Sequence, residues 1–341
     1  MTDIRFPAEW EPQDGVMIAW PHLRTDWAET LDAVTTVYLQ LARAITRFER
    51  LVVATPEPEP VRRLLQDEGI DLNRVILAEV PTNDTWCRDF GPITVLRDDT
   101  PVLLDFGFNA WGLKFAADLD NQVTRRLHAQ GVFAETTLAI QGLVLEGGSL
   151  ESDGAGTLLT TSRCLLSPNR NPHLGREQIE AQLTERLGLK RILWLEHGEL
   201  EGDDTDAHID TLVRFAPDDT IVYQGCDDPA DSHFAEQQAM AEELAGLRTA
   251  DGRPYRLLPL PWPRPVFDDD RRLPATYANY LVINGAVLVP TYGDAADSAA
   301  LEVIGTAYPG RDIIGIDARA LIAQGGSIHC LTMQLPQGVL P

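Results

Sequence analysis

The sequence predicts an α/β fold built from recurring units of strand pair, helix and strand, set in a closed ring with its chemistry at the centre. Three observations predict it. Helical patterns alternate with short β-rich runs along all 341 residues. Turn-flanked segments near Asp89, Gly147, His208, Asn279 and Gly325 recur about 45 to 70 residues apart, as a repeated supersecondary unit would. No GxGxxG or GxxxxGK(S/T) loop is present, which argues against a doubly wound nucleotide-binding fold.

The elements follow in order. Ala28 to Arg47 carries Leu31, Val34, Val37, Leu41 and Ile45 near helical spacing. Leu51–Ala54 reads as a strand, Pro60–Glu68 as a helix and Val75–Leu77 as a strand. Ile93–Leu96 and Val102–Phe106 form a hairpin around Asp98-Asp99. Leu119–Gln130 is a predicted helix, and Leu143–Leu145 and Thr157–Thr160 are predicted strands. A helix is expected over Arg176–Leu187 and a strand over Arg191–Leu195. His208–Phe215 and Thr220–Tyr223 read as a hairpin, followed by helix Phe234–Leu247 and strand Tyr255–Leu260. Tyr280–Ile283 and Ala286–Pro290 pair around Asn284-Gly285, a dipeptide that favours a type I′ turn. Helix Ala296–Ala307 and strands Ile313–Ile316 and Ile328–Gln334 complete the pattern.

Composition narrows the function. Apolar residues make up 44% of the chain, enough for a substantial core in a single catalytic domain over residues 1–341. The net charge of −24 argues against nucleic acid or an acidic membrane as partner and suits a cationic substrate. The four cysteines are far apart and form no CxxC pair, so zinc knuckles, thioredoxin-like sites and iron–sulfur sites are not expected. No secretory leader pattern and no run of 18 apolar residues is seen, so a cytoplasmic protein with reduced cysteines is expected. The apolar content permits a homodimer without requiring one.

Four segments concentrate chemistry. Gly325-Gly326-Ser327-Ile328-His329-Cys330 puts a thiol after a glycine pair, where the backbone can approach a ligand; a buried structural cysteine explains Cys330 equally well when taken alone. Asp206-Ala207-His208-Ile209-Asp210 would, in a strand, point His208 and Asp210 to one face. Such a pair could move protons and grip a cation, ligate a metal, or be a solvated acidic surface. Trp86-Cys87-Arg88-Asp89 offers a carboxylate for two guanidinium N–H groups and an indole to lie over a flat cation; a well-packed turn is the plainer reading. Glu146-Gly147-Gly148 offers a carboxylate that, beside His208, would favour the imidazolium.

Taken together, these segments closely resemble the agmatine deiminase and bacterial peptidylarginine deiminase family, part of the guanidino-group-modifying superfamily. The likeness runs nearly end to end. It includes Pro7-Ala8-Glu9-Trp10-Glu11-Pro12, Ala19-Trp20-Pro21-His22, Trp86 through Pro92, Leu145 through Ser149, Asn169-Arg170-Asn171-Pro172, Thr205 through Asp210, Asn279-Tyr280, Tyr292-Gly293-Asp294 and Gly325 through Cys330. The resemblance implies a five-bladed, pseudo-symmetric α/β propeller of ββαβ units. It implies Cys330 as nucleophile, His208 as acid–base, Asp89 and Asp210 as guanidinium-binding carboxylates, Glu146 as an acid close to both, and Trp86 on the pocket wall. It implies no metal and no cofactor, with agmatine hydrolysed to N-carbamoylputrescine and ammonia. Free or peptidyl arginine, amidino transfer to an amine, and a silent guanidino-compound binder are the alternatives within this frame; a metal hydrolase built on His208 and Asp210 lies outside it. Ala207, where the family usually has glycine, and Ser327, where agmatine deiminases often have asparagine, depart from the pattern. The methyl of Ala207 matters only if the backbone there needs positive φ or close approach.

Overall fold

The computed structural model describes residues 3–341. Hydrophobic periodicity accounts for most elements. Helix Leu31–Ile45 buries Val34, Val37, Tyr38, Leu41 and Ile45 and packs on strands Arg50–Thr55 and Asp312–Asp317. Helix Arg176–Leu187 and strand Arg191–Leu195 match their expected bounds residue for residue. The recurring mixed unit is also present: Ala286–Thr291 runs antiparallel to Leu281–Ile283 and parallel to Asp312–Asp317, with helix Asp297–Ala307 as the crossover.

The α/β class stands, but the closed five-bladed propeller of equal units does not. Among the described residues the strands form six separate sheets, two of four strands, three of three and one of two, and none closes on itself or curls into a barrel. Ten α-helices and four 3₁₀ turns accompany them. The inequality has a local cause. Ile4–Arg5 adds to Ile93–Arg97 and Thr332–Pro336 adds to Gln13–Ala19, enlarging two sheets. Val266–Asp268 and Arg271–Leu273 make a hairpin of their own. Hydrogen bonding stops at each sheet edge, so no ladder runs round the molecule.

Three further expectations are corrected. His208–Phe215 is not one strand: Ile209–Thr211 is a 3₁₀ turn and the strand is Val213–Ala216. The last strand starts at Thr332, leaving Cys330 in the turn before it. A type I′ turn needs positive φ at both central residues; Asn284-Gly285 provides it only at Gly285 (φ 73°), whereas Asp98 (φ 47°) and Asp99 (φ 62°) both adopt it. The Asn284 side chain instead ties the hairpin to Gln13, accepting from its N–H and donating to its carbonyl.

Apolar side chains gather in three clusters, the largest around the sheet holding Gln13–Ala19 and Arg50–Thr55. Between the clusters lie buried charges, carried on short irregular segments at strand ends: Cys87–Phe90, Gly147–Ser149, Ile209–Thr211 and the turn at Cys330. No helix among the described residues is long and apolar enough to cross a membrane.

Candidate active site

Cys330 is 4% exposed. Its Sγ lies 3.4 Å from Asn279 Oδ1 and 3.9 Å from Asp210 Oδ2. Asn279 Oδ1 also accepts from the backbone N–H groups of His329 and Cys330, at 3.0 and 3.3 Å, so one amide braces the turn that presents the thiol. Burial, then Asp210 and Asp89, push the thiol well above its ordinary pKa. The empty site therefore favours the neutral thiol.

His208 is fully buried, with Nε2 3.1 Å from Glu146 Oε2 and Nδ1 3.6 Å from Asp89 Oδ1. Burial alone would lower its pKa. Asp89, Cys164 and Glu146 outweigh that and raise it well above the usual histidine range. Glu146 is opposed by its own burial, yet His208 and Arg170 hold it ionised. Arg170 Nε meets both Glu146 oxygens, at 3.0 and 2.7 Å, while Nη1 reaches Asp206 at 2.6 Å.

The two aspartates differ. Asp89 accepts from Gly148 N–H through Oδ1 and from the Trp111 indole N–H through Oδ2, each at 2.9 Å. Burial raises its pKa to about 6, with Asp210 and Glu146 adding and His208 opposing. Asp210 is held low despite burial, chiefly by His329, 2.7 Å from its Oδ2. Its Oδ1 is buried and unpartnered, as is His208 Nδ1.

Those free atoms converge. A methyl placed on Gly148 would lie 2.5 Å from His208 Nδ1, 2.9 Å from Asp89 Oδ1 and 3.2 Å from Asp210 Oδ1. Two carboxylate oxygens and a ring nitrogen thus face one narrow recess bounded by the Gly148 backbone, where a methyl would overlap two of them. A wider cavity of about 320 Å³ leads towards it, lined by Trp86, Asp89, Trp111, Phe115, Gly326 and Cys330, with Asp26, Asp84, Asp204 and Arg271 further along its wall. His208, Asp210 and Glu146 do not line this cavity and lie behind the residues that do. A thiol, a histidine and a glutamate in one buried site are consistent with guanidino-group hydrolysis.

A family model for Porphyromonas-type peptidyl-arginine deiminases matches residues 5–336. The chain belongs to that family. Among its relatives, the agmatine deiminase of Pseudomonas putida is 36% identical, with 98% of this chain and 96% of that protein covered. A Porphyromonas gingivalis structure, provisionally described as an arginine deiminase, has 53% identity and a TM-score of 0.95, covering 99% of this chain and all of that one. The agmatine deiminase of C. jejuni, with a cysteine changed to serine and substrate bound, superposes with a TM-score of 0.93 at 38% identity, over 99% and 98% of the two chains.

Set beside the family motifs, the structure adds residues that sequence reasoning missed. Trp111, Asn279 and Arg170 hold Asp89, the turn at Cys330 and Glu146. Asn279 and Arg170 gave a signal, as parts of the Asn279-Tyr280 and Asn169–Pro172 motifs, without a role attached; Trp111 gave none. Arg88, Arg97, Arg163 and Arg170 make no positive pocket, since none of them lines the cavity. Arg170 is committed to Glu146 and Asp206, Arg163 to Glu199, and Arg88 to the His329 carbonyl and Gln334. The set that could hold a metal is Glu146, Cys164 and His208, rather than His208 with Asp210, and the Arg170 cation on Glu146 opposes a second cation there.

His208 and Asp210 come together through a turn, not a pleat. Asp206 (φ 66°) and Ala207 (φ 63°) reverse the chain just before His208. Asp203 secures the reversal by accepting from Thr205 N–H, Thr205 hydroxyl and Ala207 N–H at 2.9, 2.6 and 2.8 Å. The departure at Ala207 therefore falls on a left-handed backbone. Ala207→Gly should stay within about 1 kcal/mol of the parent, because about 1 kcal/mol of relieved strain is offset by added freedom of the unfolded chain. Ala207→Val should lose about 2 kcal/mol, since a β-branched residue tolerates positive φ poorly. Urea midpoints check both; equal damage from glycine and valine would mean that methyl packing, not backbone handedness, governs the position.

Proposed function

We propose that this protein hydrolyses agmatine to N-carbamoylputrescine and ammonia through Cys330. The observation that carries the choice of substrate is the charge of the cavity wall. Asp26, Asp84 and Asp204 line it with aromatic Trp111 and Phe115. The one lining cation, Arg271, is engaged by Asp268 at 3.2 Å and by the Ala323 carbonyl, and neighbouring Lys114 is tied to Asp206 at 2.9 Å. A distal amine finds acids there, whereas a distal carboxylate would not find a free cation. The agmatine deiminases among the relatives favour the same substrate.

In this reading Asp89 and Asp210 take the guanidinium edges and fix its carbon against the sulfur, with Trp86 beside them on the wall. The docked cation lowers the thiol pKa, the thiol proton passes to solvent because His208 is already protonated, and the thiolate adds to the carbon to give a neutral tetrahedral adduct. The His208 imidazolium, held charged by Glu146, protonates the departing nitrogen, which leaves as ammonia. A cationic S-alkylthiouronium remains. Neutral His208 then takes a proton from water, and the hydroxide adds to the same carbon. On collapse the carbon–sulfur bond breaks and the adduct's hydroxyl proton passes to the sulfur, releasing the ureido product and restoring the thiol. The whole chain acts as one catalytic domain in the cytoplasm, on a small cation rather than nucleic acid or membrane. Sedimentation would separate a monomer from a homodimer.

The test is incubation with agmatine, free arginine and a C-terminal-arginine peptide, with and without EDTA, reading ureido product and ammonia. Agmatine turnover unaffected by EDTA is expected. kcat/KM should fall as pH drops through about 6, because Asp89 is charged above its raised pKa and loses its grip on the cation below it. Preferential turnover of the peptide would overturn the substrate, loss on chelation would overturn the metal-free chemistry, and no turnover at all would overturn the reading.

A further inference from the structure

A chain of buried charges runs away from the recess beneath the nucleophile. His329 is 1% exposed, and its Nδ1 lies 2.7 Å from Asp210 Oδ2 while Nε2 lies 2.6 Å from Glu9 Oε2. Glu9 Oε2 also meets Arg214 at 2.8 Å and faces Arg88 at 3.8 Å, and Arg214 Nε reaches Glu151 at 2.8 Å. Sign alternates along the path: Asp210, His329, Glu9, Arg214, Glu151. Glu9 Oε1 is occupied as well, by the Val282 N–H at 2.7 Å. An ionised carboxylate only accepts hydrogen bonds, so a ring between two of them must donate from both nitrogens, which only the imidazolium can do.

We propose that His329 is a positioning residue: as an imidazolium clamped between Glu9 and Asp210, it keeps Asp210 ionised and fixes Oδ2, so that the free Oδ1 faces the guanidinium recess. The proposal rests on the guanidino-hydrolase reading of the site. Its physical content is a contrast. Asp89 and Asp210 are both buried, close to each other and to Cys330 and His208. Asp210 alone has a second cationic partner in contact, and it is Asp210 that is held low while Asp89 rises to about 6. The groups facing Asp210 are His329, His208, Asp89, Cys330 and, further off, Arg214. The opposing groups include a carboxylate and a thiol, so removing the imidazolium charge leaves Asp210 with a weaker case for ionisation. The backbone supports the same role: the His329 N–H and the Cys330 N–H share Asn279 Oδ1, so the ring and the thiol are braced as one turn.

Two measurements test it. The first compares His329→Asn, which keeps a neutral donor near the Nδ1 position, with the parent enzyme across pH. KM for agmatine should rise about tenfold with kcat changed less, because the weakened carboxylate grips the cation less well, while the acid limb set by Asp89 stays near about 6. A purely packing role would lower stability without raising KM, and an unchanged KM in a folded variant overturns the proposal. The second needs no activity. Ring-nitrogen NMR of the ¹⁵N-histidine-labelled parent, with the signal assigned by its perturbation in Glu9→Gln, should show both His329 nitrogens protonated at pH 8. A neutral ring overturns the proposal. If the parent turns over none of the guanidino substrates, the functional reading fails, while the NMR result still decides the state of His329.

Discussion

Cys330→Ala should abolish agmatine turnover, with kcat falling on the order of 10⁵-fold, as when a nucleophile that works with a base and a binding recess is removed. The variant should stay folded. Asn279 keeps both backbone N–H groups that brace the turn, and only the weak thiol contact is lost. Cys164→Ala is the matched control. Cys164 is also buried and its Sγ lies 3.7 Å from Glu146, but it does not line the cavity. Its loss should lower kcat by less than about tenfold, since it perturbs only the surroundings of His208. Product formation and urea unfolding on both variants check this. Comparable losses in the two would move the nucleophile assignment away from Cys330.

Gly148→Ala should lower kcat/KM by about 10²- to 10³-fold, because displacement of reacting groups by even an ångström is costly, and the overlap with buried His208 should lower stability as well. Gly148 does not adopt positive φ, so alanine there is not strained in its backbone. The added methyl overlaps His208 Nδ1 and Asp89 Oδ1 and lies beside Asp210 Oδ1, so the shift falls on the binding groups themselves. Neighbouring Gly147 differs in what the methyl meets. A methyl there would sit 2.2 Å from the Arg88 carbonyl oxygen, which is fixed backbone, so Gly147→Ala should cost stability first. If Gly148→Ala retains full activity, the recess is not where the guanidinium binds.

These pairs also show what a sequence can reveal. Cys330, His208, Asp89, Asp210, Glu146 and Trp86 were recognisable because their segments match the family motifs, with Glu146 also preceding and Cys330 also following a glycine pair, and the structure brings all six into one neighbourhood. The manner of their meeting was not recognisable. Period-two reasoning put His208 and Asp210 on one strand face, but two left-handed residues and a 3₁₀ turn bring them together. Helices with a clean apolar stripe, such as Leu31–Ile45, were readable because burial imposes the period. Short strands whose partners lie far along the chain were not, because pairing such as Thr332–Pro336 with Gln13–Ala19 leaves no local signature. That is also why equal, closed units were expected where six unequal sheets stand. His329 escaped notice because its partners, Glu9 and Asp210, lie 320 and 119 residues away.

The segment Ala110–Leu113 has one more consequence. All four residues take positive φ, from 52° to 88°, and three of them are not glycine. A mirror-handed turn of L-residues is uphill by about 1–2 kcal/mol per residue, so this is the part of the site most ready to relax. It carries the indole that completes Asp89. The appetite of the recess for positive charge is thus coupled to the handedness of four residues on its wall: whatever loosens the turn also weakens the carboxylate. Ala110 and Trp111 also belong to the largest apolar cluster, so robustness of the scaffold and selectivity of the pocket are tied together in this one turn.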